Sequence, residues 1–418
     1  MDQLTADQQT RVRAFIQERA QEIVDFTAAL VRAPSMNPPG DERAAAAVAL
    51  EWMGRLGLQG AEVWARTEER PNIVFRLPGR SGGKTLMLSG HLDTRPIGEL
   101  REWRSDPHEP TIRDGKMFGL GSSDMKGAVA AMIYATAALA ASGQELGGDV
   151  LLAFTADEET GSGAGAQYLV RERGLRADAA LIGEPQSIHE PFESLPLVSR
   201  TGCSFMVRIF GTQGHSSVSD RIHMVNAIQK MAWVLDRMAR EWRPSFAPHP
   251  LCSFGPTVNV GMIVRGGVSF GIYPGFAEFG VEVRTIPGMT PEAIRADAES
   301  FLQALAAEDA DLKWEFAYNR DPSLYTQPTV VSEDEPLVRH VLDAAEQVLG
   351  RRLPFTYFPG GTDAKEFQGF GGVPTLPGFG PGLLTVAHGP NEFVHIHALA
   401  PAAEVYALTA MAYLRNGE

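Results

Sequence analysis

The stretch Asp149-Val-Leu-Leu-Ala-Phe-Thr155-Ala-Asp157-Glu158-Glu159-Thr160-Gly161 decides the fold. A β-rich apolar run of strand length, 149–155, ends abruptly in carboxylates. Two other runs end in a similar way. The run 85–89 leads into Ser89-Gly90-His91-Leu92-Asp93, and the run 178–182 leads into Gly183-Glu184-Pro185. A further strand is read at 72–77, and helical stretches lie at 126–141 and 163–173. Strands alternating with helices predict a mostly parallel α/β sheet. In open α/β sheets ligands bind beyond the carboxyl ends of the strands. Several separate segments therefore deliver His, Asp or Glu to one edge. Asp124, in Gly119-Leu-Gly-Ser-Ser-Asp124-Met-Lys-Gly127, joins them just before a long helix. Like charges gathered in this way repel, and a divalent cation is the usual remedy.

Working outward, residues 4–32 repeat apolar side chains at helical spacing (Val12, Phe15, Ile16, Ile23, Phe26, Leu30) and predict one amphipathic helix. The breaker Asn37-Pro38-Pro39-Gly40 separates it from a helix at 41–56. From about residue 200 the pattern changes. Strand 203–210, helix 222–240, strands 256–264 and 276–285, helix 291–307 and strand 312–318 give the order β-α-β-β-α-β, a ferredoxin-like unit. The α/β pattern then resumes with helix 335–349, strand 354–358, a short helix near 363–369, strand 373–376 and helix 399–415. The expected organisation is a catalytic domain of residues 1–199 and 319–418 with a smaller domain, 200–318, inserted into it.

Composition bounds the function. The 418 residues include 37 Lys and Arg against 51 Asp and Glu, a net charge of −14. An acidic chain without a basic run lacks the footprint of a nucleic-acid binder and the basic face that an anionic membrane attracts. Only Cys203 and Cys252 are present, so there is no disulfide framework, and a thiol-sparing chain fits a reducing compartment. The start, Met1-Asp2-Gln3, leads into no signal-peptide core. The longest apolar run, Ala128 to Ala141, is too short and Ala-rich to span a bilayer. A cytoplasmic protein acting on a small molecule, with neither nucleic acid nor membrane as partner, is expected.

Taken singly, each acidic site has a plain structural reading. A His-x-Asp at a strand end is often structural, Glu158-Glu159 a solvated turn, Asp124 a helix cap, and Glu184 before Pro185 a turn. Jointly these readings require four coincidences at one sheet edge. The stretches Ser89–Pro96, Asp114–Gly127, Phe154–Ser162, Gly183–Pro185, Gly211-Thr-Gln-Gly-His215-Ser-Ser217 and Ala387-His388-Gly-Pro-Asn-Glu392 occur in the order of a known family. The chain resembles the co-catalytic zinc metallohydrolases that include carboxypeptidase G, acetylornithine deacetylase, succinyl-diaminopimelate desuccinylase and aminoacylase.

The resemblance implies a zinc-exopeptidase-like catalytic domain with an inserted ferredoxin-like lid that also dimerises. It implies two divalent metals, zinc first, with cobalt or manganese as alternatives. One is held by His91, Asp124 and Glu184, the other by Asp124, Glu159 and His388, with Asp124 bridging. Imidazole and carboxylate suit zinc and leave a position for water, whose pKa two close ions lower. Glu158 is then the general base, and Asp93 orients the His91 imidazole. His215 supports the oxyanion from the partner of a homodimer. Arg284, at the end of strand 276–285, clamps a substrate carboxylate, and Asn259 hydrogen-bonds the same end. Gly360-Gly361-Thr362-Asp363 resembles a loop near the substrate but receives no catalytic role. Where the family often has Asn, this chain has Gly271-Ile272-Tyr273-Pro274, so that side chain's contact is not available. The stretch Gln186 to Ser199 is longer than usual and is expected to shape the pocket wall.

The reading is a two-metal hydrolase cleaving the amide bond of a small N-acyl amino acid, or a similar amide bearing a carboxylate. A hydroxide between the metals attacks, and Glu158 moves the proton. The alternatives are a dipeptidase or aminopeptidase on the same core, and a metal-holding binding protein without turnover. The acyl group, the amine and the native metal are not encoded in these stretches.

Overall fold

The computed structural model describes residues 3–80, 82–143, 146–252 and 254–415. It contains two compact units, one of residues 1–199 and 329–418 and the other of 200–328. The strands of their two main sheets are, in chain order, β1 (Glu62–Ala65), β2 (Pro71–Leu77), β3 (Thr85–His91), β4 (Asp149–Thr155), β5 (Ala179–Ile182), β6 (Thr201–Phe210), β7 (Thr257–Gly266), β8 (Phe276–Thr285), β9 (Lys313–Tyr318) and β10 (Thr375–Leu376).

The larger unit is built on a six-stranded sheet of order β1-β2-β4-β3-β5-β10. The strands β4, β3, β5 and β10 run parallel, while β1 and β2 pair antiparallel at one edge. The parallel strands are buried on both faces, which is why they read as nearly continuous apolar runs. Met87, Leu151, Ala153, Ala180 and Ile182 meet Leu169, Val170 and Phe367 from the helices Ala166–Arg171 and Ala364–Gly369. Helix Gly127–Ala141 is buried all round and packs against β3, β4 and helix Ile396–Tyr413. The register fixes the working edge. His91 lies opposite Thr155 in the β3–β4 pair, and Ser89 opposite Ile182 in the β3–β5 pair. The chain therefore leaves β3, β4 and β5 on the same side of the sheet.

The inserted unit is a four-stranded antiparallel sheet of order β7-β8-β6-β9. Its helices are Ala227–Glu241 and Pro291–Glu308. Asn226 caps the first by accepting the N–H groups of Ile228 and Gln229, so this helix starts later than the expected 222. The α/β class, the mostly parallel sheet and the β-α-β-β-α-β order agree with expectation.

Other expectations need correction. The chain re-enters the larger unit at Pro328/Thr329 rather than at 318/319. Residues 319–328 stay with the inserted unit: Asn319 N–H donates to the Ser204 carbonyl at 3.0 Å, and the Tyr325 hydroxyl donates to the Met289 carbonyl at 3.2 Å. The single helix expected over 4–32 is two, Gln3–Glu18 and Ala20–Val31, broken at Arg19. The buried positions Val12, Ile16, Ile23, Phe26 and Leu30 keep helical spacing across the break, so periodicity does not mark it. The short strands Thr111–Arg113, Lys116–Phe118 and Phe393–His395 form a small antiparallel sheet that the apolar pattern did not indicate. The 186–199 stretch is tied within the larger unit. Its Leu195–Ser199 pairs parallel with Phe355–Phe358, and Phe192 stacks on Phe379 at 5.3 Å. Among the described residues no helix is long and apolar enough to cross a membrane.

Leu152 is fully buried in the centre of the sheet. Leu152→Ala is expected to lower the unfolding free energy by about 2–5 kcal/mol, read from chemical unfolding. A loss below about 1 kcal/mol would mean that this layer is not the stabilising core.

Candidate metal centre

His91 is the last residue of β3 and is buried. Its Nδ1 lies 2.9 Å from the main-chain carbonyl oxygen of Asp93. A hydrogen bond there puts the proton on Nδ1 and turns the Nε2 lone pair inward. Nε2 stands 3.0 Å from Asp124 Oδ1 and 3.8 Å from Glu184 Oε1. Asp93 thus meets the His91 ring through its backbone carbonyl, with its carboxylate Oδ1 farther from the same nitrogen at 3.6 Å. The Asp93 carboxylate does something else: it accepts the N–H groups of Glu158 at 3.2 Å and Glu159 at 3.1 Å, and Asn37 Nδ2 at 2.8 Å. It fastens the turn that carries the two glutamates.

Asp124 does not cap the following helix, which starts at Gly127 without a side-chain cap. Its backbone is not helical (φ −125°, ψ 90°), and its carboxylate faces two imidazoles. Oδ1 meets His91, while Oδ2 lies 3.1 Å from His388 Nε2. His388 also stands 3.1 Å from Glu159 Oε2. His388 is 45% exposed and marks the open side of a cluster otherwise buried.

The turn after β4 divides its acids between tasks. Asp157, at φ 61°, accepts the Ala164 N–H at 2.9 Å and the Thr160 hydroxyl at 2.6 Å, and so shapes the turn. Glu159 points inward, to His388 and to Arg95 Nε at 2.9 Å. Glu158 is half-buried, and its carboxylate groups with His91 and Glu184, with ligand atoms within 4.8 Å of one another. Asp363 buttresses the site from behind, accepting the hydroxyls of Thr155 at 2.7 Å and Ser162 at 2.5 Å.

The electrostatics follow from this crowding. Burial pushes the Glu158 carboxyl up to about 8; His91 opposes the rise, and Asp363 and Glu159 reinforce it. Burial and the charge of Asp124 hold Glu184 well above the usual carboxylate range. Burial would lower His388, but hydrogen bonds to Asp124 and Glu159 raise it to about 10. His91 is likewise raised against its burial by Asp124 and Glu184. The donor set fits divalent cations: imidazole nitrogens and carboxylate oxygens, with His91, Asp124 and Glu159 also bringing ligand atoms within 4.8 Å. Glu159 Oε1 is buried without a hydrogen-bond partner, an acceptor that an ion would satisfy.

The structure brings His91, Asp124, Glu158, Glu159, Glu184 and His388 together, with Asp93 beneath them. His215, Arg284 and Asn259 belong to the inserted unit. There, His215 Nδ1 accepts the Ser217 N–H at 3.2 Å, which leaves a proton on Nε2 of the exposed imidazole. Arg284 and Asn259 both engage the Glu282 carboxylate, at 3.0 and 3.3 Å. Sequence reasoning missed Asn37, Arg70, Arg95 and Glu282. Asn37 read only as part of a helix breaker, yet it links Asp93, Asp157 and Arg70. Its side chain next to the stiff Pro38-Pro39 pair was the available signal.

The model of peptidase family M20/M25/M40 matches residues 87–412. Acetylornithine deacetylase of Yersinia pestis is 31% identical over 352 residues, covering 81% of this chain and 82% of its own. Human carnosine dipeptidase 1 superposes with a TM-score of 0.75 at 20% identity, over 97% of this chain and 98% of its own. An M20 family metallo-carboxypeptidase from Sulfolobus solfataricus superposes with a TM-score of 0.72 at 19% identity, over 94% and 99%. The chain therefore belongs to peptidase family M20/M25/M40 and is a metal-dependent hydrolase of amide or peptide bonds.

Proposed function

We propose that this enzyme cleaves the amide bond of a small N-acyl amino acid, or a similar amide bearing a carboxylate. The observation that carries the reading is the placement of Asp124, whose two oxygens each face a different histidine. His91, Asp124 and Glu184 would hold one divalent ion, and Asp124, Glu159 and His388 the other, zinc suiting these donors with cobalt or manganese as substitutes. When bound, such a pair acidifies water and polarises the scissile carbonyl. Glu158, beside this pocket but outside both ligand sets, takes a proton from the attacking water and gives it to the departing nitrogen. Asp93 holds the turn that aims Glu158. His215, whose Nε2 carries a proton, supports the developing oxyanion from the partner of a homodimer. Arg284 and Asn259 bind the substrate carboxylate. Kinship with acetylornithine deacetylase favours removal of an acyl group from an amino acid.

The dipeptidase or aminopeptidase reading gains one observation. Glu282, beside Arg284 and Asn259, is a carboxylate of the kind that would greet a free ammonium. A binding protein without turnover would have no use for Glu158 in its present position. Two buried free thiols, Cys203 and Cys252, accord with a cytoplasmic enzyme.

A homodimer through the inserted unit is part of the proposal. Strand β7 is an edge strand, and Met262 and Val264 on it are 60% and 56% exposed. Such an apolar edge is a template for pairing.

Zinc-loaded protein is expected to turn over N-acetyl, N-succinyl, N-carbamoyl or N-aroyl amino acids faster than dipeptides, to lose activity with a chelator and to regain it with zinc. Preference for dipeptides would favour the second reading, and indifference to the chelator would defeat both. Glu158→Gln should lower kcat by about 10²–10⁴-fold while metal content stays unchanged; full activity would remove the proton-transfer role. Sedimentation should give a dimer for the native protein and a monomer for Val264→Asp, and a dimer in both would relocate the interface.

A further inference from the structure

Glu392 is a buried carboxylate that the proposed chemistry does not use. It follows His388 in the same short loop, His388-Gly-Pro-Asn-Glu392. Its Oε2 accepts the Gly121 N–H at 2.9 Å, and its Oε1 accepts the N–H groups of Ser123 at 2.9 Å and Asp124 at 3.0 Å. Its own carbonyl oxygen accepts the Gly119 N–H at 2.9 Å. The loop 119–124 is thus wrapped around one side chain of the loop that carries His388. Gly121, at φ 77°, has the left-handed backbone the wrapping requires. The preceding residue is pinned as well: Asn391 Oδ1 accepts the Arg104 N–H at 2.8 Å, and Asn391 Nδ2 donates to the Glu102 carbonyl at 3.0 Å.

We infer that Glu392 is a positioning residue of the metal centre, setting Asp124 and His388 against each other by binding the backbone of one ligand loop from the other. The inference rests on the two-ion reading. The peptide N–H of Asp124 is itself one of the bonded groups, so the direction of its side chain is fixed at the root. The two loops flank the paired strands Lys116–Phe118 and Phe393–His395, and the carboxylate carries that link beyond the end of the ladder to Gly121, Ser123 and Asp124. Lys126 is buried nearby and donates to the Ala33 carbonyl at 2.8 Å.

The chemistry requires a carboxylate. Three N–H donors converge on two oxygens, and only an anion presents acceptors at both ends. Glutamine has the same shape but carries an NH₂ group at one end. Either orientation sets that group against a backbone N–H, at Gly121 or at Ser123 and Asp124. Glu392→Gln therefore disturbs the tie without creating a cavity.

The test is a zinc titration by competition with a chromophoric chelator, together with the absorption spectrum of the cobalt-loaded protein. Glu392→Gln is expected to weaken at least one of the two zinc equivalents by about 10–100-fold, the usual effect of losing a partner behind a ligand. It should also alter the cobalt spectrum and lower kcat with KM little changed. Glu404→Gln is the control for a purely structural loss. Glu404 is buried and bonded to Arg13 at 2.7 Å and Gln17 at 3.1 Å, away from the ligand loops. It should lower the melting temperature and leave zinc affinity and spectrum unchanged.

A folded Glu392→Gln protein with native zinc affinity and spectrum overturns the inference. If native protein takes up no zinc, the two-ion reading fails and this inference falls with it. If Glu392→Gln does not fold, amide exchange in the native protein decides. Slow exchange at Gly121, Ser123 and Asp124 with and without zinc upholds the tie, and exchange as fast as in an open loop overturns it.

Discussion

Mutual repulsion among carboxylates drawn to one edge of a sheet is the constraint on which the rest of this structure depends. Asp93, Asp124, Glu159 and Glu184 are all buried there, with Glu158 half-buried beside them. Removing an ionised carboxylate from water costs several kcal/mol unless a partner compensates. The protein responds with Arg95 against Glu159 and Arg70 against Glu42 and Asp157, while both histidines face Asp124, which raises their pKa values against the effect of burial. Such a concentration of acid, compensated only partly by fixed cations, has a high affinity for added positive charge. That demand suits the edge to hold metal ions.

The acids separate into two groups by the donors that meet them. Asp93, Asp157 and Glu392 accept main-chain N–H groups, and Asp363 accepts two hydroxyls. These carboxylates are saturated by the fold and act as its fasteners. Asp124 and Glu159 are different. Among the described residues no main-chain N–H serves either carboxylate, and their partners are imidazoles and a guanidinium. A side chain whose oxygens meet only mobile or titratable donors can exchange them for an ion at modest cost. The same residue type therefore plays framework and chemical roles within a few ångströms, and the backbone decides which.

This division explains how much was legible in the sequence. The run 149–155 and its neighbours declared the sheet because strands buried on both faces leave long apolar signatures. His91, Asp124, Glu159, Glu184 and His388 were found because they follow strand ends or sit in recognisable stretches. Asn37 escaped because its work depends on Arg70 and Asp157, distant positions that only folding brings near. Spacing set Asp93 against the His91 imidazole, but it could not show that the carbonyl oxygen is nearer than the carboxylate, or that the carboxylate also fastens the turn of Glu158. The break at Arg19 and the hairpin at 111–118 left no mark for the same kind of reason. Neither changes which residues are apolar, only how the backbone runs between them.

The side chains proposed to bind the substrate carboxylate lie in the inserted unit. Arg284 and Asn259 lie on paired strands, with Thr257 opposite Arg284 and Asn259 opposite Glu282. Glu282 therefore sits between the two side chains that the proposal assigns to a substrate carboxylate. A guanidinium offers five donors in a fixed fork, so one carboxylate does not exhaust it. Glu282 can hold Arg284 in a defined direction while the rest of the fork receives a second anion. The same arrangement is hostile to a clamp of the opposite sign, because an incoming ammonium would have to compete with Arg284 for Glu282. On electrostatic grounds the pairing thus favours a group that brings a carboxylate to Arg284 over one that brings an ammonium to Glu282, in keeping with the proposed deacylase reading.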